Sequence, residues 1–294
     1  MKPVQPVGAW SPDHAPALTP GKRVASDTSV ASALAALFVL TLRQHVRGRR
    51  LIVLSLLFLL PTVLTVIVKL AAKSPPQGWH SHLEFVLVLN LIPSALATLT
   101  ALLYAAGIVQ DEVEEQTLTY LLLRPLPRWA IYVTKLLATV LVTSLLTAAF
   151  TLLAMVAIYW DALDQWHAAL LQRAPRTVAL LTLAQAGYCS FFGVVSLLIR
   201  RSLIVGIGYI IIFEGLLANL DTVIRRLTVM YYFRVLVLRW FDPADSKGWS
   251  IELDTAPSAG DCVLTLLGVS LVFTLIGAWM MMRKEFRMKT PEGS

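Results

Sequence analysis

Six long apolar runs, separated by short polar stretches, constrain this chain more than any other feature. Crossing a hydrocarbon core of roughly 30 Å takes about 20 apolar residues in helical form. Backbone inside lipid must satisfy its own hydrogen bonds, which leaves helices or closed barrels. The runs show no period-two alternation, so the reading is helix. The pattern predicts spans at about 51–72, 83–109, 129–160, 177–198, 202–220 and 262–282. Only 15% of residues are charged, against about 25% in a soluble domain. The expected fold is an all-α integral membrane protein with six transmembrane helices.

Residues 1–28 lack hydrophobic periodicity and read as a mobile cytoplasmic tail. Residues 29–289 read as the transmembrane domain, and 290–294 as a second cytoplasmic tail. The first apolar stretch, Ala33 to Leu42, is too short to cross and is followed by Arg43, Arg47, Arg49 and Arg50. That order is wrong for a signal peptide, and 29–48 is expected to form an interfacial elbow helix. The net charge of +7 could suit nucleic acid, but the basic residues cluster at the ends of apolar runs, so no nucleic-acid partner is expected. Their distribution places both termini on the cytoplasmic side. The compartment expected is a bacterial inner (plasma) membrane. The two cysteines, Cys189 and Cys262, form no metal or disulfide pattern.

Between the second and third runs lies a polar stretch, Gly107 to Lys135. Asp111, Glu112, Glu114 and Glu115 open it, and carboxylates suit the first turn of a helix. Val113, Thr117, Tyr120 and Leu121 share one face. Pro125 and Pro127 end the helix, with Arg124 and Arg128 at its C-terminal pole. A short amphipathic helix at the membrane surface is therefore expected here.

Gly107, Glu112, Thr117, Leu118, Leu121, Leu122, Pro125, Arg128 and Lys135 resemble a pattern in permease subunits of type-2 (ABC-2) ABC exporters. Gln116 stands where that pattern has glycine. The resemblance implies that this segment is the coupling helix docking on a separate P-loop ATPase. Its docking residues would be Glu112, Glu115, Thr117, Leu118, Leu121, Arg124, Pro125 and Arg128. It also implies assembly with a second copy of the chain or a related permease, ATP and Mg bound by the ATPase alone, and a substrate path between the permeases lined partly by spans two and five.

Glu214 stands deep in the fifth run, where a carboxylate is costly unless it faces protein or water. Asn90, Gln185 and Asn219 are further polar residues within or beside the runs. Each of the four could line a pathway or hold helices together. Lys69 and Lys135 lie near span ends and are expected to snorkel to water. Between the fifth and sixth runs, Ile224, Leu227, Tyr231, Val235 and Leu238 recur at helical spacing. They suggest a partly inserted helix at the outer surface, and related permeases have re-entrant helices there.

No enzyme constellation assembles. Glu114-Glu115 resembles part of the Glu-Glu-x-x-x-Arg motif of intramembrane prenyl-protein proteases, but Thr119 occupies the arginine position. No metal site, Gly-x-Ser-x-Gly elbow or phosphate loop is present in the sequence. The function expected is that of an export permease subunit without its own catalytic site. A membrane scaffold for an ATPase, or an ion-coupled secondary transporter, remains open as an alternative.

Overall fold

The computed structural model describes residues 30–71, 78–108, 127–162, 166–199, 201–216, 223–241, 249 and 251–283. Among the described residues the chain is helical and contains no strand. Helix α1 is Val30–Arg47 and α2 is Arg49–Ala71, separated by Gly48 alone. Helix α3 runs Trp79–Ala105, α4 Arg128–Tyr159, α5 Ala168–Leu198 and α6 Ser202–Leu216. A short turn of tighter helix, Val223–Leu227, leads into α7, Val229–Phe241. Helix α8 is Ala259–Arg283.

Helices α2, α3, α4, α5 and α8 are long and apolar enough to cross a membrane. Of the expected fifth span, the structure describes Ser202–Leu216. Helix α6 comprises eight residues continued by seven in wider turns, less than the roughly 20 a perpendicular crossing requires. Residues 217–220 of that expected span lie outside the described residues, as does 109–126, where the amphipathic helix is expected.

Helices α4 and α5 form the centre, with α3 and α8 packed on them. Helix α4 carries Thr139, Thr143, Thr147 and Thr151 at four-residue spacing, all buried. Small side chains at that spacing let helices approach closely. Thr139 and Thr143 donate to the carbonyls of Lys135 and Thr139 at 2.9 Å, which satisfies hydroxyls that lipid cannot. Helix α1 lies against α4: His45 Nε2 meets Thr139 Oγ1 at 3.0 Å. Two glycines set close approaches. A Cβ at Gly277 of α8 would meet the Tyr132 hydroxyl at 2.3 Å, and one at Gly206 of α6 would meet Leu102 Cδ1 at 2.1 Å.

Helix α7, between α6 and α8, packs into the bundle. Thr228 Oγ1 accepts from the Tyr231 amide at 3.2 Å and caps α7. Val229 to Leu238 of α7, apart from Tyr232, are buried against α5, α8 and the middle of α3. Arg239 closes the return by donating to the carbonyls of Leu253, Ala256 and Pro257 at 2.9–3.1 Å. Ser258 and Asp261 then exchange hydrogen bonds at the start of α8, a reciprocal cap. The expected partly inserted helix is thus packed within the bundle along most of its length, with Arg234 buried among its apolar residues.

Candidate functional site

Two helices lose regular α geometry at the same place. Glu84–Ala97 of α3 and Ile210–Leu216 of α6 wind in wider, i→i+5 turns. In α3 this stretch contains Pro93, which supplies no N–H and clashes with the preceding turn. Ser94 Oγ donates to the Asn90 carbonyl at 2.6 Å, a side-chain bond to the backbone one turn back. Wider turns of this kind are frequent at functional sites.

Between these interruptions lies a cavity of about 700 Å³. Asn90, Ser94 and Ala95 of α3 form one wall, residues Ile210 to Leu216 of α6 except Phe213 form another, and Arg234 of α7 closes the end. Most of its lining is aliphatic, and Ile211, Ile212 and Leu216 are exposed at its mouth. Glu214 is 2% exposed and Arg234 4% exposed. The Tyr209 hydroxyl donates to Glu214 Oε1 at 3.5 Å. The buried Tyr188 hydroxyl and the Arg234 guanidinium also act on the carboxylate electrostatically. The tyrosine does so outside hydrogen-bond geometry, so Glu214 Oε2 has no hydrogen bond among the described residues. Arg234 lies over the Trp249 ring at 5.3 Å.

Of the polar residues singled out from the sequence, Asn90 and Glu214 meet in this cavity. Gln185 is buried in α5 beside Cys189 and does not line it. Asn219 lies outside the described residues, as do Glu112, Glu115, Thr117, Leu118, Leu121, Arg124 and Pro125. Arg128 is the exposed first residue of α4. Lys135 departs from expectation: it is 6% exposed, and Nζ donates to the Ile108 carbonyl at 3.2 Å. The lysine ties the end of the second span to the third and does not reach for water.

A second buried carboxylate was not singled out from the sequence. Glu84, 1% exposed, accepts at Oε2 from the Tyr159 hydroxyl at 2.5 Å and from Arg173 Nη1 at 3.0 Å. Arg173 Nη1 also reaches the Tyr159 hydroxyl at 3.3 Å, so α3, α4 and α5 are joined at one end of the bundle. Beside them, Asp161 pairs with Lys69 and with His80 Nε2, the latter at 3.3 Å. Asp161 lies just beyond α4. Partial burial pushes its carboxyl up, but Lys69 and His80 outweigh this and hold it below the usual carboxylate range.

Among the described residues, five helices able to cross a membrane and a cavity walled by two interrupted ones fit a polytopic membrane protein. The chain belongs to the ABC-2 family of transporter proteins, whose family model matches residues 35–286. No curated protein matches it.

Proposed function

We propose that the chain is the permease subunit of an ATP-driven ABC exporter and that the cavity between α3 and α6 is part of its substrate path. The cavity carries this reading. It places a buried carboxylate and an asparagine in an aliphatic space of ligand size, where small-molecule sites usually span about 300–1,000 Å³. Family membership supports association with an ABC ATPase in general. On this reading residues 111–128 dock on that ATPase, with Glu112, Thr117 and Leu118 contributing most, and ATP and Mg are bound by the partner. Helix α6 with residues 217–220 completes the sixth crossing, and α1 is the interfacial elbow. Both termini face the cytoplasm of a bacterial cell, and a second copy of the chain completes the path.

The link from Lys135 to Ile108 gives the coupling segment mechanical purchase, since both helices flanking it are tied to each other at its base. Movement of residues 111–128 would then rotate α3 and α4 as a pair and alter the α3 wall of the cavity. Affinity purification of the tagged full chain from its native membrane in mild detergent tests the proposal. A P-loop ATPase in near-equal amount, lost on Glu112→Lys, is the expected result. Recovery without any ATPase would overturn it, and an ATPase retained by Glu112→Lys would remove the docking assignment.

A further inference from the structure

A carboxyl, Glu214, and a guanidinium, Arg234, line the cavity from two different helices, and both are more than nine-tenths buried. Glu214 Oε2 has no hydrogen bond among the described residues, and a buried carboxylate oxygen is costly to leave so. A ligand bearing one charge meets an attractive and a repulsive neighbour at once. A headgroup bearing both charges satisfies both: an ammonium can donate to Glu214, and an acidic group can accept from the guanidinium fork of Arg234. The aliphatic lining at Ile210, Ile212 and Leu216 suits an acyl or alkyl chain.

From this juxtaposition we infer that the cavity binds a zwitterionic amphiphile, with its ammonium against Glu214 and its phosphate or carboxylate against Arg234. The inference rests on the reading of this cavity as the substrate path. Two sources share the chemistry, a bilayer phospholipid and a zwitterionic amphiphile from outside the membrane. Arg234 Cζ stands 5.3 Å over the Trp249 ring, and the Tyr209 hydroxyl donates to Oε1 of Glu214, which leaves Oε2 toward the ammonium position.

The test is binding to the full chain in maltoside micelles, read by native mass spectrometry, with three chain-matched probes. These are lysophosphatidylethanolamine, lysophosphatidylglycerol and an alkylamine. The zwitterion is expected to bind at least about tenfold more tightly than either singly charged probe. Glu214→Gln should erase its advantage over lysophosphatidylglycerol. Ile212→Trp, which fills the cavity mouth without touching either charge, should weaken all three and serves as a second variant if Glu214→Gln does not fold. Equal affinity for the three headgroups, or an unchanged preference in Glu214→Gln, would overturn the inference.

Lipid carried through purification from the native membrane separates the sources. Enrichment of zwitterionic phospholipid over the bulk membrane identifies the bilayer. Absence of enrichment, with preference for an added alkyl betaine retained, identifies an external amphiphile. ATPase co-purification is scored on the same samples. Loss of headgroup preference with the ATPase retained removes the headgroup assignment alone, whereas preference without an ATPase upholds the site and removes its transport role.

Discussion

Glu84 and Glu214 are both carboxylates buried in interrupted helices, yet their surroundings differ. Glu84 Oε2 meets a hydroxyl at 2.5 Å and a guanidinium at 3.0 Å, contributed by two other helices. Glu214 has one hydrogen-bonded hydroxyl at 3.5 Å, from its own helix, with the Tyr188 hydroxyl and the Arg234 guanidinium acting on it electrostatically, and an adjacent cavity of about 700 Å³. A buried charge with strong partners fastens the elements that supply them. One with weak partners beside an empty volume retains bonding capacity for something else. The first arrangement is a clamp at one end of the bundle, and the second is a receptor within it.

Breaking the clamp should have the largest effect on stability. Arg173→Ala leaves the Glu84 charge buried without its counterion, a change that costs about 3–5 kcal/mol in buried pairs. Arg173 is 29% exposed, so the lower end, about 3 kcal/mol, is expected. Thermal unfolding of the detergent-solubilised chain would read it as a fall of several degrees in the apparent midpoint. Adding Glu84→Gln to Arg173→Ala should recover part of the loss, since the orphaned charge is then gone. An Arg173→Ala midpoint indistinguishable from wild type would reduce the clamp to an incidental contact.

The receptor depends on how closely α6 approaches α3. Gly206→Val would drive a side chain into Leu102, which is fully buried. Overpacking of this sort costs about 1–3 kcal/mol, and here it should also displace the cavity wall. The variant is therefore expected to lose stability and ligand binding together, whereas Arg173→Ala should lose stability first. If Gly206→Val bound all amphiphiles normally, the α3–α6 seam would not be the site.

The two regions also differ in how much the sequence announces. Glu214 was visible because a carboxylate a dozen residues into an apolar run has no bland explanation. Asn90 stood out similarly, but nothing local indicated that the two would face one cavity. That pairing depends on the crossing of α3 and α6, which is long-range information. Glu84 was overlooked because it falls in the first turn of its span, where a charge ordinarily reaches water, and Arg173 because it counted as a loop cation. The threonines at 139, 143, 147 and 151 carried a readable four-residue period that marks a close-packed face. The burial of α7 was obscured by Arg234, a charge that suggested surface exposure. Five of the six expected spans are long enough to cross a membrane among the described residues, and the end of the fifth expected span lies outside them.

Glu214→Gln sharpens the comparison from the other side. Its hydrogen bond is long, so replacing carboxylate by amide should change stability by less than about 1 kcal/mol. Glu84→Gln, by contrast, removes the charge that Arg173 and Tyr159 both address, and should cost visibly more in the same thermal assay. A Glu214→Gln loss as large as that of Glu84→Gln would make both carboxylates clamps and leave the cavity without a functional anchor.

The smallest effect belongs to Asp161, at the solvent edge of the clamp. Its side chain is 45% exposed, and exposed ion pairs contribute little. Because Lys69 and His80 lower its folded-state pKa, the unfolded chain binds the proton more readily. The pair's stabilisation is therefore fully present above the unfolded value near 3.8 and is lost as pH falls through the folded value. Asp161→Asn should lower the unfolding midpoint slightly at pH 7 and converge with wild type only as pH falls below 3.8 and through the lower folded-state value. A difference that instead grew on acidification would mean that the carboxylate charge is not what stabilises this corner, and would leave Lys69 to Trp79 and Trp160, whose rings lie 5.6 and 5.9 Å from its ammonium.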